Sequence, residues 1–545
     1  MTSAGLWTLG LAVGYTLLLA LTSRAARARA DRGEGFFVGS RTFSPWTVAF
    51  CITGLFSGSS YIAIMELSYR TGISAIWYGV AETVQVLLIA LILVKPLRKR
   101  LVVTVTGMIG ERFGRKAQVI AGSITAFTFP MWSVATAIAF ASALHALTGL
   151  SIHAAIIVTA LLLLAFLSAG GMRAVAFTQT ANCVVFIGML AVGTLAFFIN
   201  PGIDGIRQLA VDRPEMLDMS SAGVTLIAAW FGTFIVNVLL AQAAFQMTMS
   251  CRTPEDGRKG MLYAAGLGVP FIIIGALLGT AAAIVVPTQD LGLVAVSVYI
   301  ADVLPAPLAG VFFLGVWACA LSWAGPCQFS GATSLGRDVG RALRPNASEN
   351  DLVRYTRWSL VLLTVLMILF AFLRTEQAAW WNVLAWTLRN GATLAPVLAV
   401  LFWPVATRRA SYAAMLSGFG AGIGWYHFGG WSPSQFLFGI HPVWVGMTAN
   451  VLVMISVSLV STRWRVTSHT GKKQWGLVAG VLASVLYLTT AIFWESLHSL
   501  GLSGMVFFTA TASAAAATFL LTEVEKTDDK TGPQRDEQQN RTSVT

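Results

Sequence analysis

The stretch "WTVAFCITGLFSGSSYIAIMELSY", residues 46–69, is apolar at both ends and polar in the middle. It is long enough to cross the bilayer core of about 30 Å as an α-helix. Glycines and hydroxyl residues fill its centre, from Thr53 to Ser60. Such residues allow close helix packing, or they indicate a helix that is unwound at mid-membrane so that free backbone groups line a binding cavity. We predict the second arrangement, with an interruption near Gly54–Ser59.

The composition indicates a membrane protein rather than a soluble globule. Hydrophobic residues make up 56% of the chain, charged residues make up 11%, and the mean hydropathy is +0.72. Soluble domains carry about 25% charged residues. Apolar segments of about 20 residues recur along the whole sequence, so we predict an all-α polytopic membrane protein with about 15 transmembrane helices.

Basic residues indicate which loops face the cytoplasm. They cluster between alternate apolar segments, whereas only Arg70, Arg207, Arg213 and Arg374 of the 36 fall in the other loops. Cytoplasmic loops are enriched in Lys and Arg. We therefore predict a bacterial-type inner-membrane protein with its N-terminus outside and its C-terminus in the cytoplasm. The positive net charge of +12 is explained by these loops and does not indicate a nucleic-acid partner.

Several function classes lack their motifs in this sequence. There is no G-x-x-x-x-G-K-[ST] phosphate loop, which argues against a nucleotide-driven pump. No nucleophile–base pair or cofactor motif indicates an enzyme. The five cysteines are odd in number and have no C-x-x-C spacing, so we predict neither a disulfide framework nor a metal site.

Three ionisable residues lie well inside predicted spans, where charge is costly. They are Glu66, Glu82 and Arg389. Two acids and one base cannot all form simple ion pairs, so one carboxylate is expected to be protonated, ligand-bound or in contact with water. We predict that Arg389 faces a central cavity with Glu66 or Glu82 within ion-pair or water-bridged reach, and both glutamates are candidate proton carriers. The alternative is a buried salt bridge that only holds helices together.

The seventh apolar segment repeats the polar pattern of residues 46–69. It contains Asn237, Gln242 and Gln246, and we predict a second interruption between the first two. Pro326 lies within the ninth segment, where the missing amide donor predicts a bend.

Five motifs follow one another along the chain: "FFVGSRTFSPW" (36–46), "SYRTG" (68–72), "GERFGRK" (110–116), "GGMRAVAFTQTANCV" (170–184) and "AQAAFQMTMSCRTPEDGRKG" (241–260). In this order they resemble the sodium/solute symporter family, which includes bacterial proline, pantothenate and sugar symporters. The resemblance extends over about residues 35–430. It implies the inverted-repeat fold of the bacterial leucine transporter, with spans 2–6 and 7–11 as the two repeats, and solute transport by alternating access, usually driven by sodium.

The resemblance also implies where the solute binds. Glu82 lies on the span that contributes substrate contacts in sugar-transporting members, and there it would bind a cationic group. Arg389 lies near the family's substrate pocket, where a guanidinium suits a carboxylate bidentately. The full set of expected substrate-binding residues is Ser59, Ser60, Glu82, Asn237, Gln242 and Arg389.

The match to the family fails at its sodium site, which lies between the first and eighth core helices. The family's Ala-x-x-Ser-[Ser/Thr] pattern appears here as Cys319-x-x-Ser322-Trp323, and an indole has no oxygen to offer. The family's nearby aspartate falls on Gln179, and its arginine after the second glutamine falls on Met247. We predict that the usual sodium site is lost; the residues of this degenerate or coupling site are Thr53, Phe56, Gln179, Cys319, Ser322 and Trp323. The alternative is a small helix rotation that turns Trp323 outward, so that sodium still binds Ser322 and carbonyls.

The sequence thus predicts a secondary active transporter for a small polar organic solute, either zwitterionic or carboxylate-bearing. H⁺ or Na⁺ is the expected coupling ion, and no other cofactor is expected. The alternatives are a sodium-coupled symporter with a degenerate site and a non-transporting solute sensor or accessory subunit. The predicted divisions are an N-terminal helix and cytoplasmic loop (1–45), a ten-helix transport core (46–405), additional C-terminal helices (406–522) and a disordered cytoplasmic tail (523–545).

Overall fold

The computed structural model describes residues 2–27, 41–95, 104–167 and 172–525. These residues are almost entirely helical, which confirms the predicted all-α class. The first helices are α1 (Ser3–Arg27), α2 (Pro45–Ile52), α3 (Gly58–Thr71), α4 (Ile76–Leu88), α5 (Val105–Phe113), α6 (Arg115–Thr148), α7 (Ile152–Leu167) and α8 (Met172–Ile199). They are followed by α9 (Gly202–Asp212), α10 (Val224–Asn237), α11 (Gln242–Met249), α12 (Pro254–Val285), α13 (Gly292–Val303), α14 (Ala306–Thr333) and α15 (Gly340–Leu343). The last are α16 (Glu349–Leu373), α17 (Ala378–Phe402), α18 (Arg408–Phe428), α19 (Pro442–Ser461), α20 (Thr470–Ile492), α21 (Trp494–Ser499) and α22 (Ser503–Leu521).

The number of spans is not confirmed at about 15. Among the described residues, 11 helices are long and apolar enough to cross a membrane, or up to 12 if α10 and α11 together form one span. Pro45–Leu93 counts as one of the 11, although Gly72, with φ of 63°, separates α3 from the next helical turn. Ile152–Phe166 and Gly292–Val303 are apolar helices that are shorter than these 11.

α2 and α3 are joined without a break. The connecting residues Thr53–Ser57 form a π-turn, in which the amide of Gly58 donates to the carbonyl of Thr53. The dihedral angles on both sides stay helical, at φ −76° and ψ −40° for Ile52 and φ −64° and ψ −39° for Gly58. The predicted interruption near Gly54–Ser59 is therefore wrong, because an extra residue is accommodated by widening the helix rather than by unwinding it.

The predicted interruption between Asn237 and Gln242 is confirmed. α10 ends at the first of these residues, α11 begins at the second, and the two helices are bent by 41°. A tight turn connects them, since Leu240 N donates to Asn237 O at 2.9 Å and Gln242 N donates to Leu240 O at 2.7 Å. α14 remains helical through Pro326, and the bend expected there stays a prediction.

A short antiparallel sheet follows α22, in the place where a disordered tail was predicted to begin. Strand β2 (Thr522–Val524) pairs with strand β1 (Trp464–Val466). The guanidinium of Arg465 also donates to the carboxylate of Glu523 at 2.9 Å. Residues 523 and 524 are thus ordered by this pairing, and residues 526–545 of the predicted tail lie outside the described part of the chain.

α18 and α19, which follow the predicted core, pack against α17 at a position where one of its backbone hydrogen bonds is missing. Pro396 has no amide to donate to the carbonyl of Ala392, four residues back. Asn450 on α19 donates to that carbonyl at 2.8 Å, and its own side-chain oxygen accepts from Ala395 N at 2.7 Å. A third bond, also 2.8 Å, runs from Asn450 to the carbonyl of Ala414 on α18. One buried amide therefore holds α17, α18 and α19 together.

Replacement of Asn450 by Leu is expected to destabilise the protein by about 2–5 kcal/mol, because two buried backbone groups of α17 lose their partners. Thermal unfolding of the purified protein measures this as a lower Tm. Thr448→Val is the matched control on α19, since the Thr448 hydroxyl is buried without a hydrogen bond and its loss should leave the Tm unchanged. An unchanged Tm in Asn450→Leu would contradict the assigned role.

Candidate functional site

A small cavity lies at the centre of the helix bundle, beside the break between α10 and α11. Five aromatic residues contribute to its wall. The space left in it is about 20 Å³, which holds about one water molecule. The lining residues with rings or polar groups are Phe56, Phe129, Trp132, Asn237, Gln242, Trp323, Cys327, Trp386 and Arg389.

Arg389 brings the one charged group into this wall. Its guanidinium carbon lies 4.4 Å from the ring centroid of Trp132 and 5.8 Å from that of Phe129. It donates to the side-chain oxygen of Asn237, while its Nε is buried without a hydrogen bond. Within the described ranges, no carboxylate lies within 4.0 Å of it. Aromatic faces and one amide therefore stabilise this cation in place of an acid.

Neither glutamate forms an ion pair with Arg389 among the described residues, because both are bound to other groups. The water-bridged contact that the sequence also allowed stays a prediction. Glu66 accepts hydrogen bonds from the backbone amides of Ala378 at 2.8 Å and Ala379 at 2.6 Å. These are the first amides of α17, which lack partners within the helix and carry its positive dipole end. A carboxylate on α3 is thus compensated by the N-terminus of α17.

Glu82 is held by a single hydroxyl. The Ser60 hydroxyl of α3 donates to its carboxylate on α4, and both residues are buried. One turn further along α4, the side-chain amide of Gln85 is fully buried with neither atom hydrogen-bonded. Of the six predicted substrate-binding residues, Asn237, Gln242 and Arg389 line the cavity, whereas Ser59, Ser60 and Glu82 are not among its lining residues.

A vestibule of about 270 Å³ lies on the Glu66 side of the cavity. Its wall includes Glu66, Arg70, Tyr78, Trp230, Trp380 and Tyr426. Arg70 donates to the backbone carbonyls of Asp290 at 2.9 Å and Glu376 at 3.3 Å. Glu66 and Arg70 together therefore attach the end of α3 to the start of α17.

Four aromatic rings separate the vestibule from the central cavity. Tyr78 lies 5.7 Å from Trp230 and 5.2 Å from Phe234, and Phe234 lies 4.5 Å from Trp386, as measured between ring centroids. Tyr78 and Trp230 line the vestibule, whereas Trp386 lines the cavity. These rings form an aromatic partition between the vestibule and the central cavity.

The opposite side of the cavity is closed by hydrogen bonds from Gln242, at the start of α11. Its side-chain amide donates to Ser334 Oγ at 2.8 Å and to Ser330 O at 3.2 Å. Its side-chain oxygen accepts from Val105 N at 3.2 Å. Further from the cavity, Asp338 is buried and accepts from Thr104 at 2.7 Å. This network joins α5, α11 and α14.

Two residues of the predicted degenerate sodium site, Gln179 and Ser322, are in contact. Gln179 donates from its side-chain amide to Ser322 O at 2.7 Å. It also lies against Gly54 of the π-turn so closely that a Cβ there would overlap its side-chain oxygen. The neighbouring Asn182 donates to Ser322 Oγ at 2.6 Å and accepts from Tyr15 of α1 at 2.7 Å. Amide groups thus occupy oxygens that would otherwise be available to a cation.

The other members of this set have distinct places. Cys319 packs against Gly58, with its Sγ 3.6 Å from the position of a Cβ there. The Thr53 hydroxyl is buried and has no hydrogen bond. Trp323 faces inward: its indole donates to the Trp132 carbonyl at 2.7 Å, and its ring lies 6.4 Å from that of Phe56. The outward rotation of Trp323 considered from the sequence is absent.

Sequence reasoning missed the aromatic part of the wall. Phe129, Trp132 and Trp386 line the cavity, yet in an apolar span their letters do not differ from those of lipid-facing rings. For Trp386, the available sequence signal was its position three residues before Arg389 on the same helix. Phe129 and Trp132 lie on another helix, α6, and had no such signal.

Replacement of Glu66 by Gln is expected to loosen the start of α17, because an amide offers one acceptor oxygen where the carboxylate offers two. Hydrogen–deuterium exchange in the segment 376–382 should become roughly tenfold faster, corresponding to about 1.4 kcal/mol. Glu111→Gln is the control, since that side chain is exposed and lies outside the measured segment. Equal exchange in both variants would contradict the role of Glu66 in holding the start of α17.

Other transport proteins are similar in sequence to this chain. Among similar sequences, the symporter YidK of Escherichia coli strain K12 is 26% identical over 372 residues, covering 63% of this chain and 65% of that protein. The match therefore spans less than two thirds of YidK. A monocarboxylic acid transporter of Corynebacterium glutamicum is 22% identical over 421 residues, covering 70% of this chain and 76% of that protein.

A solved structure shares the fold. A Na⁺-coupled sialic acid symporter in a substrate-bound outward-open state superposes with a TM-score of 0.68 at 15% identity, covering 83% of this chain and 98% of that one. The predicted leucine-transporter-like fold is confirmed by this likeness, whereas the assignment of particular helices to two inverted repeats stays a prediction. The sequence model of the sodium:solute symporter family matches residues 36–418. Since that match covers most of the chain, as the ordered motifs predicted, the protein belongs to the sodium:solute symporter family.

Proposed function

We propose that the protein is a secondary active transporter that moves a small organic carboxylate through the central cavity by alternating access. The observation that carries this proposal is Arg389, a buried guanidinium in the cavity wall with no acid within 4.0 Å among the described residues. A buried charge without a counter-ion is costly. A carboxylate that binds the guanidinium bidentately would supply that counter-ion and gain charge-assisted hydrogen bonds.

The remainder of the wall favours an apolar body over a sugar-like one. The rings of Phe56, Trp132, Trp323 and Trp386 line the same cavity as the guanidinium, and aromatic surface suits an apolar group next to the carboxylate. The space of about 20 Å³ is too small for such a solute, so binding requires the aromatic partition to move. The Corynebacterium glutamicum relative named as a monocarboxylic acid transporter supports the same class of solute.

A carboxylate is favoured over a zwitterion by the position of the acids. Glu82, which the sequence offered as a partner for a cationic group, is not among the lining residues of the cavity and is bound to Ser60. Glu66 is bound to the start of α17. Neither acid is placed to receive an ammonium group of a solute that is bound to Arg389.

We further propose that the vestibule faces outside. Arg70 and Arg374 belong to the loops that are poor in basic residues, and both lie at that side of the protein. Arg337 and Arg341 flank the Asp338 network at the other side. This distribution follows the enrichment of basic residues on the cytoplasmic side.

Protons rather than sodium are the proposed coupling ion. The amides of Gln179 and Asn182 donate to Ser322, and a neutral amide supplies no negative charge to a cation. Glu82 is a buried carboxyl group with one hydroxyl partner, and a group in that environment is more easily accommodated when protonated. Family membership favours the alternative of sodium coupling. A solute sensor without net flux is the third candidate, and uptake into proteoliposomes separates it from both transporters.

Replacement of Arg389 by Gln should reduce uptake of labelled pyruvate and propionate into proteoliposomes by about 100-fold, corresponding to about 2.7 kcal/mol for a lost charge-assisted contact. Arg389→Lys should recover only part of it, because an ammonium cannot form the bidentate contact. Arg207→Gln is the control, since Arg207 is exposed and pairs with Asp204 along α9. Full uptake by Arg389→Gln would contradict the proposal, as would a wild-type protein that takes up neither solute.

Uptake should be unchanged when choline replaces sodium, and it should follow an inward pH gradient. Gln179→Asp should introduce a sodium dependence of at least about tenfold, because it restores an acid beside Ser322. Gln208→Asp, an exposed position on α9, is the matched control. Sodium-dependent uptake by the wild type that Ser322→Ala abolishes would establish the sodium-coupled alternative.

A further inference from the structure

The largest cavity among those described lies behind α17, away from the central site. It measures about 650 Å³ and is enclosed by α6, α16, α17 and α18. Its wall is apolar over most of its area, with Phe127, Met131, Phe370, Leu373, Trp381 and Leu384 as contributors. This volume is within the range of about 300–1,000 Å³ that is typical of small-molecule sites.

The cavity opens towards the lipid-facing surface of α16. Leu373 lines it and is 77% exposed. On the same helix, Leu369 and Phe372 are also exposed. Because apolar side chains exposed on a transmembrane helix contact acyl chains, the mouth of the cavity meets the bilayer. Water would find few hydrogen-bond partners inside it.

Charged groups of opposite sign lie at this mouth. Arg374 directly follows the last residue of α16. Its guanidinium donates to Trp431 O at 2.8 Å and lies 4.4 Å from the ring centroid of Trp380. A guanidinium has five N–H donors, so donors remain for a phosphate. Glu376, two residues later, is exposed and also lines the cavity.

We propose that this cavity binds one acyl chain of an aminophospholipid such as phosphatidylethanolamine. Arg374 binds the phosphate, and Glu376 binds the ammonium group. The bound chain packs against Leu384 and Leu388, on the opposite face of α17 from Trp386 and Arg389. A structural lipid thus supports the helix that carries the candidate solute-binding guanidinium. The inference is independent of the solute and of the coupling ion.

The test is lipid retention. The protein is reconstituted in nanodiscs with equal amounts of phosphatidylethanolamine and phosphatidylglycerol, extracted in mild detergent, and its retained phospholipid is quantified by mass spectrometry. Leu384→Trp fills the cavity, and Leu384→Phe fills it less severely in case the larger change disturbs folding. Leu362→Trp, at an exposed position on α16, is the matched control.

The wild type and Leu362→Trp should retain about one phosphatidylethanolamine per chain, and the cavity-filling variants should retain roughly tenfold less at an unchanged Tm. Glu376→Gln should remove the preference over phosphatidylglycerol. Equal retention by Leu384→Trp and Leu362→Trp would overturn the proposal, as would a wild type that retains no phospholipid. A preference that survives Glu376→Gln would overturn the headgroup assignment.

Discussion

A guanidinium buried among aromatic rings imposes the main constraint on this structure. Arg389 cannot be solvated at its depth, and its surroundings compensate its charge with the face of Trp132 and the side-chain oxygen of Asn237. Asn237 is available because α10 ends there. The break in the helix, the polar residue at the break and the cation on α17 therefore depend on one another, and each would be unfavourable in lipid without the other two.

The sequence predicts those features of the site that depend on residue type. Polar residues in an apolar segment predicted the break after Asn237, and the motif departures at Gln179 and Trp323 indicated where this sequence differs from the family pattern. The sequence could not predict the partner of Glu66, because every residue except proline has a backbone amide and the residue type therefore does not mark the amides at a helix start. The π-turn at Thr53–Ser57 was likewise inaccessible, since small residues permit both an unwound and a widened helix. The sequence therefore predicted the fold more completely than it predicted the partners of the buried charges.

In the region around Gln179, amide groups take part in the hydrogen bonds between α8 and α14. Gly54, Ser322 and Gln179 lie together there. An amide donor now satisfies the carbonyl of Ser322, and Asn182 together with Tyr15 extends the hydrogen bonds to α1. The hydrogen bonds that join α8 and α14 here need no ion.

The repair of Pro396 by Asn450 has a consequence for how the chain is made. α17 leaves the ribosome before α19, so for a time the carbonyl of Ala392 has no donor to meet in the hydrocarbon. Synthesis must add about 50 residues before Asn450 is available, which takes a few seconds at bacterial elongation rates. During that interval α17 is better accommodated at the insertion machinery or against α18 than in open lipid. The helix that holds the candidate binding residue is thus completed late in biogenesis, and a chain that stopped at the predicted core boundary near residue 405 would lack the means to complete it.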